Sequence, residues 1–134
     1  MALLVLDTNS LLRSISKKSP YHDLWVSFFD GRNRLCVTNE ILEEYEELIH
    51  TKSSSLLASL VIKAIINSPY TIFVTPYYSF NLISSDPDDN KFVDCAITAN
   101  AKFIISDDRH FKVLENIDFP KVDLISLEEI IKRI

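Results

Sequence analysis

Residues 1–10 read MALLVLDTNS: an apolar run from Ala2 to Leu6 stops at Asp7. Such a run belongs in a core, where an ionised carboxylate is costly unless hydrogen-bond donors or a cation meet it. Asp7 therefore needs partners from elsewhere in the chain, and the fold has to supply them. Four further runs resemble the first: residues 34–38 (RLCVT), 71–75 (TIFVT), 102–106 (KFIIS) and 122–126 (VDLIS). With 3–7 (LLVLD) they make five short strands, apolar enough to be buried on both faces as in a parallel sheet.

Between these runs the apolar spacing changes to the helical period. Ser19-Pro20 predicts a helix start, with Leu24, Trp25, Phe28 and Phe29 as its stripe and Asp30-Gly31 as its stop. NEILEEYEELIH (39–50) puts Ile41, Leu42, Tyr45, Leu48 and Ile49 on one face; SLLASLVIKAII, DNKFVDCAITANA and LEEIIKRI supply further helices. Strands alternating with helices predict an α/β fold, a three-layer α/β/α sandwich on a central, mainly parallel five-stranded sheet. With 134 residues, 47% of them hydrophobic, residues 1–134 are expected to form one domain. Ligands of such sheets bind outside the carboxyl ends of the strands, where strand order switches.

Composition narrows the function. One glycine in the whole chain excludes a Gly-rich phosphate loop and a dinucleotide fingerprint. No segment approaches the ~20 apolar residues needed to span a bilayer, and Cys36 and Cys95 stand apart amid apolar neighbours, so a cytoplasmic protein with buried free thiols is expected. A net charge of -5 argues against a protein that coats nucleic acid. It leaves room for an enzyme in which carboxylates hold a cation that reverses the local sign.

The acids fall where such a site belongs. Asp7 ends the first strand, Asp107-Asp108 ends the fourth, and SSDPDDNKF sets Asp86, Asp88 and Asp89 at the start of the intervening helix. Helix capping accounts for one such group but not for three clusters at one sheet edge. In the helix after strand two, ~100° per residue turns Glu43 and Glu47 away from the apolar stripe and sets Glu44 and Glu46 on its flanks. Glu44 lies nearer the carboxyl edge. Asp94, one turn beyond Asp89, is either an outer ligand or an exposed acid, and His22, His50 and His110 are expected as surface or structural residues, with His110 close to an acidic pair.

LDTN, TNEILEEYEEL, DPDDNKFVDCA and FIISDDRHF, in this order and spacing and over nearly the whole chain, resemble a PIN domain, in particular the small bacterial PIN proteins classed as toxin components of toxin-antitoxin pairs. Members of that family are metal-dependent ribonucleases. The resemblance implies catalytic, metal-holding roles for Asp7, Glu44, Asp89 and Asp108, with Asn9, Ser106, Asp86 and Asp107 in support. Asp107 stands where the family often has Gly or Asn, and Asp108 matches the family aspartate. Oxygen-only ligands favour Mg²⁺ or Mn²⁺ over zinc. The implied substrate is single-stranded RNA, and the implied partner an antitoxin protein; a homodimer through the C-terminal helix, Leu127 to Ile134, is a further expectation.

Lys91 and Arg109 adjoin these acids and offer phosphate contacts or ion pairs, and Tyr77, Tyr78 and Phe80 offer stacking surfaces or ordinary packing. Other classes fit less well. A receiver domain needs an acidic pair near strand one, an Asp after strand three and a Lys after strand five; the chain has Asp7 alone, TPYY and ISLEE. A DxDx phosphatase lacks its second acid, replaced by Asn9. The remaining alternative is a PIN-like protein-binding scaffold with weak or no nuclease activity.

Overall fold

A computed structural model describes residues 1–134. Five strands, β1 (Ala2–Leu6), β2 (Asn33–Val37), β3 (Ile72–Phe73), β4 (Phe103–Ile105) and β5 (Leu124–Ile125), form one sheet in the order β3-β2-β1-β4-β5. Every pairing is parallel, so the sheet is wholly rather than mainly parallel. β3 and β5 are the edge strands and keep two residues each of the runs expected for them, since only one side of an edge finds ladder partners.

Six helices surround the sheet: α1 (Thr8–Ser14), α2 (His22–Asp30), α3 (Asn39–Lys52), α4 (Ser55–Asn67), α5 (Asn90–Ala99) and α6 (Leu127–Ile131). Two 3₁₀ segments, Pro87–Asp89 and Arg109–Asn116, complete the set. Right-handed crossovers place the connections stepping outward through β2 to β3 on one face, and α5, which returns across the sheet to β4, on the other. The direction in which successive strands are added to the sheet reverses between β1 and its neighbour β4, whose residues Ala2–Leu6 and Phe103–Ile105 run parallel side by side.

Local chemistry accounts for most boundaries. Thr38, Ser54 and Ser126 cap α3, α4 and α6 by accepting the amides of Ile41, Leu57 and Glu129 at 3.0–3.1 Å. Gly31 ends α2 with φ of 87°, a left-handed conformation in which the Tyr70 ring lies 3.0 Å from where a Cβ would stand. The second helix begins at His22 instead of Pro20, because Ser19 builds a turn: its oxygen accepts the Tyr21 amide at 3.0 Å and its hydroxyl donates to the Arg13 carbonyl. α6 ends at Ile131, short of Ile134.

Thirty buried apolar residues form one cluster. Leu4, Val5 and Leu6 are fully buried at its centre, each worth about 1.5–3 kcal/mol relative to exposure. Leu127 and Ile130 belong to the same cluster, so α6 packs on its own domain. Cys36 and Cys95 are buried free thiols, and burial raises the Cys36 pKa to about 11. The segment before the first 3₁₀ turn runs without regular structure but is tied to α5. Phe80 N–H donates to Asp94 Oδ1 at 3.1 Å, while Asn90 and Ile83 exchange two bonds of 2.9 Å.

Candidate active site

The acids meet at the switch in strand order. Asp7 leaves β1 beside the end of β4, its amide donating to the Ile105 carbonyl at 3.2 Å. It is 5% exposed, and both carboxylate oxygens are engaged: Oδ1 accepts the Ser10 amide at 2.9 Å and Oδ2 accepts the Ser106 hydroxyl. The first of these bonds caps α1, so Asp7 is both a helix cap and a wall of the cleft. Burial raises its pKa despite the bonds that oppose the rise.

Ser106 also accepts the Asp108 amide, at 3.0 Å, and Asp108 Oδ1 in turn accepts the His110 amide at 2.9 Å. This chain of turns bends the strand end so that the two adjacent aspartates diverge. Asp108 lines the cleft, whereas Asp107 is exposed and pairs with Arg13 at 2.7 Å. From the opposite wall come Asp86, Asp88 and Asp89 of the 3₁₀ entry to α5. Pro87 sets this turn as a first-position proline does.

Glu44 reaches the same cleft from α3. Glu43, Glu46 and Glu47 are exposed, as the helical phase predicts for the first and last of them, while Glu44 is half-buried. The phase is locked by Tyr45, fully buried, whose hydroxyl donates to the Leu6 carbonyl at 2.6 Å. Glu44 Oε2 accepts the Thr8 hydroxyl, and Oε1 lies 2.6 Å from Lys91 Nζ. Burial alone lowers the Lys91 pKa, but the Glu44 bond and charge more than offset it and the net shift is upward. Lys91 is thus an ion-pair partner, and Arg109 is exposed.

The electrostatic centre of the cleft is Asp89. Its pKa is pushed up to about 7 by burial and by the charges of Asp86, Asp108 and Asp7, with His110 opposing. His110 Nδ1 lies 3.2 Å from Asp108, 3.6 Å from Asp86 and 3.8 Å from Asp89. Asp89 Oδ2 and His110 Nδ1 are buried without a hydrogen-bond partner. Two orphaned ligand atoms facing one another among carboxylates fit a divalent cation, since Asp86, Asp89 and His110 each bring a ligand atom within 4.8 Å of the others.

Three expectations change. His110, read as surface or structural and noted for its closeness to an acidic pair, stands against three of the cleft acids, Asp86, Asp89 and Asp108; the 3₁₀ turn that folds it back has no periodic signal in the sequence. Asp94 is neither an exposed acid nor beside the cleft: at 9% exposure it anchors the loop at Phe80. Asn9 is exposed at the cleft rim and makes no side-chain bond to Asp7, whose oxygens are met by Ser10 and Ser106.

The PIN-domain family profile matches residues 3–110, which carry all of these acids. The chain belongs to the PIN-domain family. No curated protein sequence matches it. Among solved structures, this PIN domain is similar to VapBC2 from Rickettsia felis bound to a DNA fragment from the promoter, at 15% identity and a TM-score of 0.64, over 92% of this chain and 98% of that one. It is also similar to DNA-bound VapBC from Salmonella typhimurium, at 13% identity and 0.61 over 95% and 99%, and to VapBC-1 from nontypeable Haemophilus influenzae, at 13% and 0.62 over 94% and 98%. These likenesses establish the α/β fold. No helix is long and apolar enough to cross a membrane.

Proposed function

We propose that this PIN domain, folding as one unit over residues 1–134, is a Mg²⁺- or Mn²⁺-dependent endoribonuclease and the toxin of a toxin-antitoxin pair. One observation carries the reading: Asp7, Glu44, Asp86, Asp89 and Asp108 line a single cleft at the strand-order switch, with Asp89 lifted to about 7 by burial and by the charges of Asp86, Asp108 and Asp7. Such an arrangement is unfavourable for the protein alone and favourable around a hard cation.

Asp7, Glu44, Asp89 and Asp108 would hold the ion directly or through water, with Asp86 and His110 offering further ligand atoms beside Asp89. When bound, the cation supplies Lewis acidity that polarises a phosphodiester and lowers the pKa of water. The chain's own groups do the rest. Ser106 fixes Asp7 and, through the Asp108 amide, the turn that aims Asp108 inward. Thr8 and Lys91 hold Glu44 toward the cleft. Lys91 brings the nearest fixed positive charge to the carboxylates and is placed to meet a substrate phosphate.

The VapBC assemblies among the structural neighbours support an antitoxin protein as partner, and action in the cytoplasm is part of the same reading. The test is cleavage of single-stranded RNA by the purified chain. The reading predicts cleavage with Mg²⁺ or Mn²⁺, loss in excess EDTA, and loss in Asp7→Asn. Equal cleavage in EDTA overturns the metal mechanism, and no cleavage with any divalent ion leaves the scaffold reading in its place.

A further inference from the structure

A second cavity opens on the far side of the Lys91–Glu44 pair. It is walled by Thr38, Asn39 and Glu40 at the start of α3, by the loop through Tyr77 and Tyr78, and by Lys91 and Asp94 of α5. Lys91 belongs to this wall while its ammonium touches Glu44, a wall of the acid cleft, so the two spaces adjoin at a single cation. Tyr77 is 88% and Tyr78 76% exposed, whereas Phe80 is half-buried and packs at 6.4 Å from the Tyr78 ring. Two exposed phenol rings carry apolar area that the domain leaves in water, although their loop is fixed from below at Asp94 and Asn90.

The polar lining is specific in kind. Asp94 is nine-tenths buried; Oδ1 takes the Phe80 amide and Oδ2 has no protein partner. Glu40 adds a second acceptor. A negatively charged ligand is disfavoured here, while a neutral planar ring bearing N–H donors meets both aromatic faces and acceptors.

We infer that this cavity is a nucleobase subsite, taking the base next to the phosphodiester in the acid cleft, with Tyr77 or Tyr78 stacked on its face, Asp94 and Glu40 accepting from its exocyclic amine, and Lys91 on the connecting phosphate. It rests on the ribonuclease reading for its substrate and adds the selection: bases with an amino group (guanine, adenine, cytosine) over uracil. Stacking supplies affinity tolerant of sequence and the carboxylates supply discrimination.

The subsite is tested without chemistry by NMR titration of the intact chain with guanosine, cytidine and uridine. Guanosine and cytidine should shift the Tyr77 and Tyr78 ring signals and the Asp94 amide, with uridine at least about tenfold weaker. No shift for any nucleoside, or equal shifts for all three, overturns the inference whether or not RNA is cut. Where RNA is cut, Tyr77→Ala with Tyr78→Ala should raise KM about tenfold with kcat kept, as expected for loss of a stacked base. Asp94→Asn, whose amide oxygen still accepts from Phe80, should move the cleavage preference toward uracil. An unchanged KM and preference in these variants sinks the subsite and leaves the ribonuclease intact; nucleoside shifts without cleavage keep the subsite and sink the ribonuclease.

Discussion

The Lys91 ammonium lies 2.6 Å from the Glu44 carboxylate, joining two residues 47 positions apart across the junction of α3 and α5. Lys91 is mostly covered and Glu44 only partly, so the pair is stronger than a surface bridge and weaker than a dry one. Lys91→Met removes the bonded partner of a half-buried carboxylate. The expected loss of metal-free stability is about 1–3 kcal/mol by urea unfolding. Saturating Mn²⁺ should restore part of it, because the cation takes over the compensation of Glu44.

Asp107 and Asp108 are neighbours with opposite duties. Asp107→Ala deletes an exposed pair with Arg13 and should cost at most about 1 kcal/mol, leaving the Mn²⁺-induced rise in Tm unchanged. Asp108→Asn should keep the fold, since the amide oxygen can still accept from His110, yet shrink that rise. Thermal melts with and without Mn²⁺ distinguish the two; equal responses would place the wrong aspartate in the cleft.

Asp89 has a native pKa of about 7 against an ordinary 3.8, so the folded chain binds more protons than the unfolded chain between these values. Stability from this group is therefore greatest in acid and falls as pH rises toward 7, flattening above. Melts in EDTA from pH 5 to pH 8 should show Asp89→Asn gaining on the natural chain as pH increases. Mn²⁺ should stabilise the natural chain more at pH 8 than at pH 5, where protons compete for the same oxygens.

Tyr45→Phe deletes the hydroxyl that donates to Leu6, one residue before Asp7. The expected destabilisation is about 1 kcal/mol, measured by denaturant midpoint. Cleavage should fall more than stability predicts, because the bond ties the helix carrying Glu44 to the strand carrying Asp7.

Much of this was legible in the residues. Apolar runs ending in Asp7 and in Asp107-Asp108 marked strands and their carboxyl ends; the phase of Ile41 and Tyr45 narrowed the glutamates to Glu44 and Glu46, and nearness to that carboxyl edge favoured Glu44. α1 was not legible: it begins at Thr8 with no spacer after the strand and has only Leu11 and Leu12 as apolar residues, and its signal is the Asp7 cap itself, read instead for its charge. Asp94 misled because an acid on a helix ordinarily faces water, and nothing local announces that a loop amide fourteen residues upstream will claim it. His110 needed the 3₁₀ turn set by Asp108, a tertiary consequence with no periodic pattern.

The central claim is that the cleft is built around a divalent cation. Anomalous diffraction from a crystal soaked in Mn²⁺ measures this directly. The account predicts a peak within coordination distance of Asp89 and Asp108, with Asp7 or His110 as a further neighbour. A clean map there at saturating Mn²⁺, or a peak only on remote surface acids, contradicts it.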